Sequence, residues 1–70
     1  MRLQELYSSH LKSVAYDPQR QTLLVEFRNG ALYEFYQVPE EVFRGLISAS
    51  SHGRFFNRHI RQRFPYRRLR

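Results

Sequence analysis

Cysteine is absent from the chain, which excludes disulfides and thiolate metal sites. A chain of 70 residues with no such staple buries only about 60% of the surface its unfolded form exposes. Its core must therefore be dense. Lysine occurs once, at Lys12, and the six carboxylates (Glu5, Asp17, Glu26, Glu34, Glu40, Glu41) all precede residue 52. No apolar run approaches the ~20 residues of a membrane span. The N-terminal stretch Met1 to Leu6 lacks the apolar segment of a signal peptide. A soluble, cytoplasmic domain without membrane contact is expected. His10, His52 and His59 are not spaced as a local chelating pair, and no carboxylate is near the last two. Neither a metal nor another cofactor is expected, and no glycine-rich phosphate loop occurs.

What the chain does have is aromatic mass and one-sided charge. Six Phe and five Tyr can supply the core density. Residues 1–51 carry five basic side chains (Arg2, Lys12, Arg20, Arg28, Arg44) against the six acids, a net −1, whereas residues 52–70 carry seven arginines and no acid, a net +7. Charge concentrated in this way points to a surface for an anionic partner. A solvated, self-repelling tail would give the same count.

The chain reads as one domain over residues 1–70, without repeats or linker. Residues 1–8 read as a lead-in that could hold a helical turn. His10–Tyr16 reads as a strand; Leu11 and Val14 break its alternation, which a bulge between them would explain. Asp17-Pro18 starts a turn. Thr22–Arg28 is the clearest strand, with Leu23, Val25 and Phe27 on one side. Asn29-Gly30 signals a hairpin. A two-residue loop would put Tyr33 and Phe35 on the opposite side from Leu23, Val25 and Phe27. A three-residue loop with a Gly30 bulge unites all five and Ala31, so it is preferred. Pro39 then opens a helix with Glu40 and Glu41 in its first turn. Its apolar stripe is Val42, Phe43, Leu46, Ile47 and Ala49, and Gly45 either weakens the helix by up to about 1 kcal/mol or permits close approach to the sheet. Ser51 caps a second helix from about Gly53 to Gln62. Phe56, Ile60 and Phe64 line one side of it; Arg54, Arg58 and Arg61 line the other. Pro65 ends that helix, and residues 65–70 form a mobile basic tail. The fold class is α+β: a three-stranded antiparallel meander followed by two short helices on one face.

No catalytic centre is expected. Ser50, Ser51 and His52 are adjacent with Asp17 as the nearest orienting acid, but a triad is a spatial arrangement, and serines before a helix are usually caps. A helix-turn-helix reading stops at Ala49 and Gly53, because Ser48, His52 and His59 stand where packing residues belong. The basic segment is more informative. Arg54, Arg58 and Arg61, aided by Arg63, Arg67, Arg68 and Arg70, offer forked donors to phosphates. Tyr36, on the outer face of a third strand expected over Ala31–Gln37, is the candidate for stacking on an unpaired base, while Tyr33, Phe35 and Phe56 read as core.

Several short stretches in order resemble the KTSC family: Ser8-Ser9, Val14–Asp17, Leu23–Gly30, Tyr33–Phe35, Val38-Pro39, Ala49–Asn57 and Ile60. The family takes its name from a domain at the C-terminus of some lysyl-tRNA synthetases and also occurs as a free-standing bacterial protein. Its central Tyr-x-Tyr corresponds to Tyr33-Glu34-Phe35, with phenylalanine in second place and one hydroxyl fewer. His52 stands where lysine is expected. The resemblance implies a small α+β domain, no known enzymatic activity, and suspected RNA binding. The expected function is a small non-enzymatic module for RNA or another polyanion. The competing expectation is a protein-interaction adaptor that accepts a partner strand at a free edge of the meander.

Overall fold

The computed structural model describes residues 3–70. Seven elements follow in chain order: β1 (Gln4–Glu5), β2 (Leu11–Asp17), β3 (Thr22–Phe27), β4 (Leu32–Phe35), α1 (Glu40–Ser48), α2 (His52–His59) and β5 (Tyr66–Arg68). All five strands join one antiparallel sheet in the order β1-β2-β3-β4-β5. The α+β class holds, but the meander has five strands rather than three. The lead-in is a short strand on β2 instead of a helical turn, with Met1 and Arg2 outside the described residues. The basic end is a strand on β4 instead of a mobile tail.

Parity explains the sheet. In β2 the register shifts between Leu11 and Ser13, so Leu11 pairs with Phe27 while Val14 pairs with Val25 and Tyr16 with Leu23. The bulge turns Leu11, Val14 and Tyr16 to one side despite their odd spacing. At the β3–β4 hairpin, the Phe27 N–H donates to Ala31 O at 2.9 Å and the Gly30 N–H to Phe27 O at 3.0 Å. This is the three-residue loop, with Gly30 at φ 93°, a left-handed conformation that glycine adopts without strain. Leu23, Val25, Phe27, Ala31 and Phe35 consequently share the buried face. The β2–β3 turn is held by the Asp17 carboxylate, which accepts from the N–H groups of Gln19 and Arg20.

Both helices lie against that face. Pro39 precedes α1 as its N-cap residue. From α1, Leu46 is fully buried and Phe43 stacks on Tyr16 with centroids 4.9 Å apart. Ser51 caps α2, its Oγ accepting from the Arg54 N–H. Phe56 and Ile60 are buried, and Phe56 meets Phe27 and Phe35 edge to face at 5.4 and 5.5 Å. The second helix ends earlier than expected, at His59. The chain then turns, with the Arg61 N–H donating to Phe56 O and the Arg63 N–H to Ile60 O. That turn leads through Pro65 into β5 at Tyr66.

Gly45 permits a close approach, but to α2 rather than to the sheet. A Cβ there would lie 2.6 Å from Phe55 Cζ and 2.9 Å from its Cε2. Gly45→Ala should therefore destabilise the domain by about 1–2 kcal/mol through ring displacement, although alanine favours the helix by up to about 1 kcal/mol. In a Phe55→Ala background the same substitution should become stabilising. Urea denaturation of the four variants reads the sign, and an unchanged sign would remove the Phe55 contact as the reason for glycine.

Candidate nucleic-acid interface

The register of β5 on β4 creates the site. Paired residues share a face of the sheet, and the pairs are Phe35 with Tyr66, Glu34 with Arg67, and Tyr33 with Arg68. Tyr66 and Arg68 thus join Tyr33 on the helix side, beyond the cover that α2 provides. Tyr33 is half-buried. Its ring is edge-on to Phe27 at 5.5 Å and stacked with Phe35 at 6.2 Å. Tyr66, 56% exposed, lies 5.5 Å from Tyr33 and 5.6 Å from Phe35. The Arg68 guanidinium sits 5.8 Å from the Tyr33 centroid, within reach of a cation–π contact. The turn after α2 brings Arg61 and Phe64 to the facing wall. Together they enclose an open groove of about 710 Å³ whose lining contains no carboxylate.

A second depression, about 490 Å³, lies between the lead-in and the start of α2. Ser8, Ser51, His52, Arg54 and Arg58 line it, with the fully exposed Tyr7 at its rim and again no carboxylate. His10 lines both depressions. Ser50, Ser51 and His52, considered for nucleophilic chemistry, are here, but the hydrogen bonds of Ser51 and His52 are structural. Ser51 Oγ caps α2. His52 Nδ1 is 2.8 Å from Leu46 O; a carbonyl only accepts, so Nδ1 carries the proton. That carbonyl occupies the nitrogen an orienting carboxylate would use in a triad, and Asp17 is not in the lining.

The seven arginines do not form one face. Arg54 and Arg58 line the second depression; Arg61 and Arg68 line the aromatic groove. Arg63 is exposed on the turn between them in sequence. Arg67 lies on the other side of the sheet, opposite Glu34. Arg70 is occupied by the domain itself: Nη2 donates to Glu26 Oε2 at 2.9 Å and Nε to Gly30 O at 3.1 Å. Tyr36 also lies on the outer side, where its hydroxyl donates to Glu34 Oε1 at 2.6 Å. That hydrogen bond, then partial burial and the Glu34 charge, raise its pKa, against the opposing pull of Arg67. The stacking candidate in the groove is instead Tyr33, which sequence reasoning assigned to the core. Its signal was a hydroxyl at an inward position, yet without the pairing of β5 nothing distinguished it from Phe35.

Glu26 anchors the C-terminal strand. It accepts from Ser13 Oγ at 3.0 Å and meets Lys12 as well as Arg70. The Ser13 hydrogen bond lowers its pKa, opposed by desolvation and helped by the Lys12 and Arg70 charges. A folded-state pKa below the ordinary value gives stability that is present above the unfolded pKa and lost as pH falls through the folded one. Wild type and Glu26→Gln should therefore differ in Tm at neutral pH and converge well below pH 4.5. Thermal melts across that range measure it; a gap independent of pH would show that the carboxylate's charge is not what matters.

Comparison with known proteins fits this architecture. The KTSC domain family model matches residues 7–64. The chain is 46% identical over 70 residues to a protein of Stutzerimonas stutzeri, covering 99% of both. It is 39% identical over 61 residues to a lysine–tRNA ligase of Nostoc sp., a match covering 87% of this chain and 11% of the ligase. The crystal structure of a KTSC domain protein from Yersinia pestis superposes with a TM-score of 0.93 at 36% identity, covering 99% of this chain and 97% of that one. A family model spanning residues 7–64 and a structural neighbour aligned over 99% of the chain lead to one conclusion: this chain belongs to the KTSC domain family.

Proposed function

We propose that the domain is a non-enzymatic module that binds nucleic acid, RNA in preference. The observation that carries this reading is the groove lined by the adjoining rings of Tyr33 and Tyr66 together with Arg68 and Arg61, with no acid in the lining. Bases stack on such rings regardless of identity, and guanidinium groups take the phosphates alongside. The preference for RNA is supported by relatives that are lysine–tRNA ligases. The adaptor reading draws less support. The sheet edges are β1 and β5, of two and three residues, and short, charged edges discourage strand addition.

Tyr66→Ala tests the reading. Stacking contributes about 1–3 kcal/mol per base, so affinity for single-stranded RNA should fall roughly 5- to 150-fold. Tm should change little, because the ring is largely exposed. Arg61→Gln and Arg68→Gln should each flatten the log K against log salt slope by about 0.7, which Tyr66→Ala should not. Fluorescence anisotropy measures both quantities. Unchanged RNA affinity in Tyr66→Ala would sink the assignment of the groove.

A further inference from the structure

The two depressions share His10, and their linings hold Arg61 and Arg68 in one and Arg54 and Arg58 in the other, with no carboxylate in either. We infer that they form one track for a single-stranded segment longer than a dinucleotide, bases against the Tyr33–Tyr66 wall and phosphates beyond His10 at Arg54 and Arg58. The inference rests on the proposed nucleic-acid function and adds a path and a footprint to it.

Continuity is the first argument. His10 sits between the grooves, its ring 5.1 Å from Phe27 at the near end of the aromatic wall. Its backbone N–H is tied to Ser8 Oγ at 3.1 Å, which places the lead-in along the rim of the second depression. Arg28 holds that lead-in down, donating to Ser8 O at 2.7 Å and Leu6 O at 3.1 Å. Chemistry is the second argument. The packed cluster of aromatic rings lies in the first groove, while the second, apart from Tyr7 at its rim and the imidazoles of His10 and His52, offers arginines and small polar groups, which suit backbone phosphates rather than bases. A duplex presents its phosphates but keeps its bases stacked inside, so it cannot use the aromatic groove. The longest extent of the domain is 28 Å, which limits the footprint to about four nucleotides, the low end for compact single-strand modules.

Calorimetric titration with oligouridylates of two, four and six nucleotides tests the track in the full chain. The tetranucleotide should bind at least about tenfold more tightly than the dinucleotide, the gain expected of one added arginine–phosphate contact. Arg54→Gln/Arg58→Gln should abolish that gain and leave dinucleotide affinity unchanged. Both side chains are exposed, and circular dichroism verifies the fold. Tyr66→Ala should weaken every length. A length gain that survives the double substitution overturns the track, and leaves the aromatic groove standing if Tyr66→Ala still weakens binding. Absence of binding at every length overturns both readings. Equal affinity for a duplex, or for an oligoglutamate peptide, overturns the single-strand assignment.

Discussion

Replacing Phe56 with alanine should remove a large part of the domain's stability and lower its melting temperature steeply. Phe56 is 2% exposed and is the ring through which α2 meets both Phe27 and Phe35. Removing a buried phenylalanine costs about 3–5 kcal/mol, part of it from the cavity left behind. A domain of 70 residues has roughly 3.5–10 kcal/mol in total, and no disulfide supplements it. At about 4–8 °C per kcal/mol, Tm should fall by at least about 12 °C. Phe56→Leu keeps most of the volume and should cost much less. A cooperative melt within a few degrees of wild type in Phe56→Ala would mean that the helix does not hold to the sheet through this ring.

Deleting residues 65–70 should have the next largest effect, on stability and binding together. The deletion removes the bonds from the Tyr36 N–H to Pro65 O and from the Leu69 N–H to Leu32 O, at 2.9 and 2.7 Å, with that from the Leu32 N–H to Arg70 O at 3.0 Å. It also unpairs Glu26 from Arg70. After the ordering entropy of six residues is returned, a loss of about 2 kcal/mol is expected, or about 8–16 °C in Tm. RNA affinity should fall further than in any single substitution of the groove, because Tyr66 and Arg68 leave together. A solvated tail would give the opposite thermal result, with Tm unchanged. Paired melting and anisotropy experiments separate the two.

The same six residues show where sequence reasoning stopped. Tyr66-Arg67-Arg68-Leu69-Arg70 has no apolar alternation to mark it as a strand, and its pairing partner β4 lies far earlier in the chain, Phe35 with Tyr66 and Tyr33 with Arg68. Only the sheet's open edge, present after β3 and β4 have formed, gives this segment a reason to be extended. The pairing then decides which arginine faces which way. It sends Arg68 to the groove, Arg67 to Glu34 on the other side, and Arg70 back to Glu26. A count of seven arginines after residue 51 carries none of that. The helical stripe failed for a related reason. Arg54, Arg58 and Arg61 align only if the helix continues, and α2 stops at His59 so that Ile60 can bury and the chain can return to the sheet.

Local patterns determined what local physics controls. The β2 bulge followed from the spacing of Leu11 and Val14, the hairpin register from the need to place Leu23, Val25, Phe27 and Phe35 on one side, and the α2 cap from Ser51. Each is dictated by side-chain periodicity or by a turn residue within a few positions. The strand count, the division of the arginines and the exposure of Tyr33 at a groove were decided by tertiary structure. They depend on which distant segment completes the sheet edge, and hydrogen bonds across that edge have no counterpart in the order of neighbouring residues.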